Sequence, residues 1–177
     1  KRESPGNMSY NEQAMAAGGI GFLGDANTLA YYGFDNASGP GNEDSGNGLD
    51  LTISGAGQAG NSLYGRSLYF EGSDDYASIP DDNSMDIRGK LTIDLWVFWK
   101  GPGTGGSYDT IIAQSEHFWL NVRRTGGLMN KICFSAGDPW ESLVSNSELA
   151  RNEWTHLSIV RTPSTDNNEN VKMYING

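Results

Sequence analysis

A single cysteine, Cys133, stands among the 177 residues, so no disulfide within the chain can staple the fold. It lies in Ile132-Cys133-Phe134, an apolar stretch whose one basic neighbour is Lys131, and reads as a small buried hydrophobe rather than a reactive thiol. Positive charge is scarce as well. Twelve Lys and Arg face 22 Asp and Glu, a formal net charge of −10, and such a field repels nucleic acid and anionic membrane surfaces. No long apolar run is present. The longest uncharged one, Ala14 to Leu23, is broken by three glycines and falls far short of the roughly 20 residues of a membrane span, so membrane insertion is not expected. Histidine is limited to His117 and His156, neither with a cysteine or second histidine at metal-ligand spacing, and both read as hydrogen-bonded strand residues. Helix signals are nearly missing too. What length remains, without them, suits one large β domain.

From Leu29 onward the chain breaks into short β-branched and aromatic runs separated by Gly, Asn, Asp and Pro clusters, the spacing of an all-β sandwich or barrel. The expected strands are 29–34, 50–53, 67–71, 76–79, 91–99, 110–114, 118–123, 131–135, 141–144, 154–161 and 171–175. Two are informative in themselves. Leu91 to Trp99 carries apolar residues on both faces, which predicts a central strand covered on both sides. Val171, Met173 and Ile175 alternate with Lys172, Tyr174 and Asn176, which predicts one buried and one wetter face before the Asn176-Gly177 turn dipeptide. Residues 1–28 follow neither pattern and form an N-terminal extension. Lys1-Arg2-Glu3-Ser4-Pro5 leads into a polar stretch without an apolar signal-peptide core, so an exported protein would carry these as mature residues. Export itself is suggested by the glycine-rich, Asn/Asp/Ser-rich surface and by two sequons that offer glycosylation at Asn7 and Asn36.

The runs Leu29-Ala30-Tyr31-Tyr32-Gly33-Phe34-Asp35, Asp44-Ser45-Gly46-Asn47-Gly48-Leu49-Asp50-Leu51 and Gly65 to Tyr76, in this order and spacing, resemble the opening of the laminin G-like jelly-roll family of the concanavalin A-like lectin/glucanase superfamily. Leu91 to Val97 resembles its central strand; Asn152 to Leu157 and Val171 to Gly177 resemble its paired strands before the last hairpin. The resemblance spans residues 29–177. It implies an all-β, two-sheet antiparallel jelly-roll sandwich, here with an extended N-terminal arm, used outside the cell in adhesion, carbohydrate recognition and assembly. Fold alone names no ligand. Family members usually continue beyond the Tyr-Ile-Asn-Gly turn into further strands, and this sequence ends there.

Hydrolysis in such sandwiches needs two carboxylates on one face of a strand, an acidic-x-acidic alternation that these strands do not carry, so the chain is not expected to be an enzyme. Asp35, Asp44, Asn47 and Asp50, with Gly46 and Gly48 between them, are hard oxygen donors in loops, a candidate structural Ca²⁺ site; the competing reading is a turn whose side chains bind its own backbone. Of the five tryptophans, Trp96, Trp99, Trp119 and Trp154 fall in strands and are assigned to core packing, whereas Trp140, in a loop after Gly137-Asp138-Pro139, is a candidate sugar-stacking ring. The leading functional expectation is a secreted structural subunit that binds copies of itself and builds a filament or surface layer. In it Ala14, Met15, Ile20, Phe22 and Leu23 of the extension would insert beside a neighbour's open sheet edge as a donated strand. The alternative is a carbohydrate-binding, adhesive lectin-like module.

Overall fold

The computed structural model describes residues 26–36, 39–60, 62–72, 74–80, 82–87, 89–103, 106–114, 117–136, 141–162 and 170–177. The chain divides into two compact units, Lys1–Met85 and Asp86–Gly177. In the first, β1 (Thr52–Ser54) pairs antiparallel with β4 (Tyr76–Ser78), and β2 (Gly57–Ala59) pairs antiparallel with β3 (Ser67–Tyr69). The expected strand at 29–34 forms no ladder. Side chains take the place of a partner strand: the Tyr31 N–H donates to Glu43 Oε1 at 2.8 Å, the Gly33 N–H to Asp44 Oδ2 at 3.0 Å, and Phe34 turns into the left-handed region at φ 59°. The β2 strand was not foreseen, because Gly55-Ala56-Gly57-Gln58-Ala59-Gly60 has almost no β propensity; pairing with Ser67–Tyr69 supplies the order.

The second unit is a two-sheet antiparallel sandwich. One sheet has the order β11 (Asn170–Ile175), β10 (Trp154–Thr162), β5 (Leu91–Phe98); the other runs β6 (Tyr108–Gln114), β7 (Phe118–Arg123), β8 (Lys131–Ala136), β9 (Glu141–Glu148). Strict alternation makes the core. Leu157 and Ile159 of β10 and Ile93 of β5 meet Leu120 and Val122 of β7 and Ile132 and Phe134 of β8, and the rings of Phe118 and Phe134 stack at 5.9 Å. Trp99 closes one end: its indole N–H donates to Asp109 Oδ2 at 3.0 Å and Arg151 lies 5.3 Å over its ring. As expected, Val171, Met173 and Ile175 pack on the core while Tyr174 is exposed.

The expectation for Leu91 to Trp99 needs correction. Its Leu91, Ile93, Leu95 and Val97 face joins the core, but β5 ends its sheet, paired only with β10 among the described residues, and its second face is open, with Trp96 42% and Phe98 39% exposed. Cross-strand neighbours rather than a covering layer hold these rings. Trp96 tilts against His156 at 5.1 Å, and Phe98 meets Trp154 edge-on at 5.5 Å. No helix among the described residues is long and apolar enough to cross a membrane.

Candidate functional site

Phe118-Trp119-Leu120-Asn121-Val122-Arg123 alternates so that Phe118, Leu120 and Val122 are buried in the core while Trp119, Asn121 and Arg123 share the opposite face. Register then fixes their neighbours. Asn121 stands between Thr110 on β6 and Cys133 on β8, with Val144 of β9 beyond; Trp119 stands opposite Ser135, and Arg123 opposite Tyr108. These side chains line one groove across the four-stranded sheet, with Leu128 of the 3-10 turn Gly126–Leu128 at its margin.

Trp119 is 42% exposed in this groove, so its assignment to the core is overturned, as it is for Trp96; Trp99 alone of the four is fully buried. The pleat puts Trp119 on the face opposite Phe118, Leu120 and Val122. Asn121 is the reverse case: only 6% exposed, with its Oδ1 wholly buried and accepting no hydrogen bond from any described residue. The Arg123 Nε is likewise buried and unpaired, although its Nη1 donates to the Tyr108 hydroxyl at 3.0 Å and its guanidinium lies 5.0 Å over the Tyr108 ring. Among the described residues Arg123 is the one charged side chain in the lining. Cys133 is buried, as expected, and burial pushes its thiol pKa up, against the opposing pull of Arg123.

Among the described residues of the groove's lining there is no pair of carboxylates of the kind a sandwich glycosidase uses. His156 faces the opposite side of the sandwich, its Nε2 2.9 Å from Asp94 Oδ1; His117 Nε2 lies 3.2 Å from Asp86 Oδ1. Both histidines are hydrogen-bonded, as expected, but only His156 is a strand residue, in β10; His117 is the turn residue before β7.

The side chains proposed as calcium donors all hydrogen-bond to backbone. Asp35 Oδ1 accepts from the Arg66 N–H at 2.7 Å, Asp44 Oδ2 from Gly33 at 3.0 Å, and Asp50 Oδ1 from Glu43 at 2.8 Å; Asn47 Nδ2 donates to the carbonyls of Thr28 and Leu29 at 2.9 and 3.0 Å. Glu43, which the sequence reading passed over, is the hub. It accepts from the N–H groups of Tyr31, Ser45, Gly46 and Asn47. Burial would raise its carboxyl, but the hydrogen bonds from Ser45, Tyr31 and Asn47 outweigh it and hold the pKa at about 2. These backbone bonds are those of a self-stabilising turn, and no group of three Asp, Glu, His or Cys side chains gathers as a metal site among the described residues. Asn36 is exposed, its Oδ1 accepting from Gly39 at 3.1 Å. Asn7, Trp140 and the segment holding Ala14, Met15, Ile20, Phe22 and Leu23 lie outside the described residues.

Residues 71–177 match the family described as the concanavalin A-like lectin/glucanases superfamily. The chain belongs to that superfamily. The match takes in the whole two-sheet unit and begins well after residue 29, where the sequence resemblance starts. The superfamily's laminin G-like jelly roll is thus the fold, and its members of this kind are generally non-catalytic binding modules. No curated protein and no solved structure matches the chain.

Proposed function

We propose that this protein is a non-catalytic carbohydrate-binding module, secreted as laminin G-like domains typically are, and that its ligand lies in the groove on the four-stranded sheet. The supporting observation is the pairing of the exposed Trp119 ring with the buried, unpartnered Asn121 Oδ1 in one lining. A sugar ring has an apolar C–H face and an edge of hydroxyls. It needs a flat aromatic surface for the first and a few fixed polar groups for the second. A buried acceptor left unpaired costs about 1–3 kcal/mol, a penalty that a ligand hydroxyl removes on binding. Trp119→Ala should abolish retention on a glycan array and the chemical-shift response of β7 to the retained sugar. Binding that survives this change, or no retention on any glycan, rejects the reading.

Self-assembly through residues 14–23 is a second proposal. Its structural support is that β11 ends the three-stranded sheet, with no strand along its other side among the described residues. Sedimentation of the chain with and without residues 1–28 tests it: equal mass for the two rejects assembly through the extension.

A further inference from the structure

We propose that the sugar this groove selects carries a single carboxylate, which Arg123 holds; the inference rests on the carbohydrate reading above and narrows it. Arg123 is a half-buried cation with no carboxylate within 4.0 Å among the described residues. The next residue shows what a satisfied guanidinium looks like in this fold: Arg124 donates from Nε to Asp109 Oδ1, a carboxylate that also accepts from the Trp99 indole and the Gly103 N–H. Arg123 has instead a tyrosine. The Tyr108 hydroxyl accepts from its Nη1 and the guanidinium carbon lies 5.0 Å over the Tyr108 ring, which leaves Nε unpaired among the described residues.

A guanidinium edge presents two parallel N–H donors, the spacing of a carboxylate's two oxygens, and a partly desolvated cation gains most from an anion that satisfies both charge and hydrogen bonds. Among the described residues no acidic side chain lines the groove to compete for it. Asn121 Oδ1 adds a second demand, because it is an acceptor and needs an O–H or N–H donor. Trp119 adds a third, an apolar face to cover. A simple carboxylate lacks the donor and the face; a neutral sugar lacks the anion. A sugar acid has all three. The number of anionic groups is set by the rest of the molecule: one cation in the lining and a chain charge of −10 disfavour a polyanion and suit one acidic residue. Both unpaired atoms lie out of reach of solvent, so neighbouring side chains must shift as the ligand enters, a rotamer adjustment common on binding.

The test is calorimetric titration of the full chain with methyl glucuronoside and methyl galacturonoside, their methyl esters, the parent glucosides and galactosides, the 6-sulfated glucoside, and 3′-sialyllactose beside lactose. The expected result is at least tenfold tighter binding of an acid than of its ester and its neutral parent, with the uronate and sialate arms showing which sugar acid supplies the carboxylate. Arg123→Gln should remove this preference, and Trp119→Ala all binding. Equal binding of acids and neutral sugars overturns the carboxylate assignment while leaving the carbohydrate reading standing. Preference for the sulfate overturns it too, and no binding by any sugar overturns both.

Discussion

Glu43 illustrates how one side chain can stand in for secondary structure. Its two oxygens accept four backbone N–H groups, from Tyr31, Ser45, Gly46 and Asn47, and so order a segment that makes no ladder. Hydrogen bonds to a charged acceptor contribute about 1.5–3 kcal/mol each at the upper end, reduced here because the group is partly exposed. Glu43→Gln should therefore lower the melting temperature of the full chain by several degrees at neutral pH, measured by calorimetry. The pH dependence follows from the depressed carboxyl. Its stabilisation is complete above the ordinary carboxyl pKa near 4.5 and is lost as pH falls through the folded value of about 2. The difference between wild type and Glu43→Gln should shrink across that window; a gap that stays constant there rejects the assignment. Asn121 makes the opposite case. Its carboxamide oxygen is buried without a partner among the described residues, so Asn121→Leu, of the same branched shape though larger, should leave stability nearly unchanged while removing sugar binding. A loss of several degrees would mean that Asn121 serves the fold instead.

At the level of strands, sequence pattern located ten of the eleven strands among the described residues to within a few residues, because short β-branched and aromatic runs are bounded by turn residues. Two readings failed for physical reasons. Residues 29–34 look like a strand, but the carboxylates of Glu43 and Asp44 take their N–H groups. Trp119 and Trp96 look like core, and hydrophobicity alone puts them there. Alternation was the better guide: Trp119 falls on the same face as Asn121 and Arg123, a polar set, and that face proved to be the groove. What no pattern reveals is which polar atom lacks a partner, since that depends on cross-strand register. Arg161 shows how a buried polar side chain that does find partners serves an element. It is buried on the core side of β10 and donates from Nε to the Gly89 carbonyl at 3.0 Å and from Nη2 to that of Ile87, pinning the segment that leads into β5. Arg161→Leu leaves both carbonyls without this donor and should destabilise by about 2–4 kcal/mol. Amide hydrogen exchange should locate the loosening at residues 89–93. Unchanged protection there would show that β10 holds β5 without Arg161.

For the molecule as a whole, the charge of −10 sets how a charged ligand arrives, independently of how it is held. A protein that captures polyanions through a basic surface loses affinity steeply as salt displaces its contacts. Here the balance is reversed. The net field repels an acidic sugar at long range, while Arg123 attracts it at contact distance inside a groove without other charges. Salt screens the first more than the second, because the Debye length falls to about 10 Å at 0.1 M, short of the reach of the net charge but longer than an ion pair. Association of a methyl uronoside should therefore quicken, and its affinity hold or rise slightly, as ionic strength goes from about 10 mM to about 150 mM. Kinetics by stopped-flow tryptophan fluorescence, with the neutral parent sugar as the salt-insensitive reference, would measure it. A steep fall in affinity over that range would place the binding charge on an exposed basic surface and not on the one arginine in the groove.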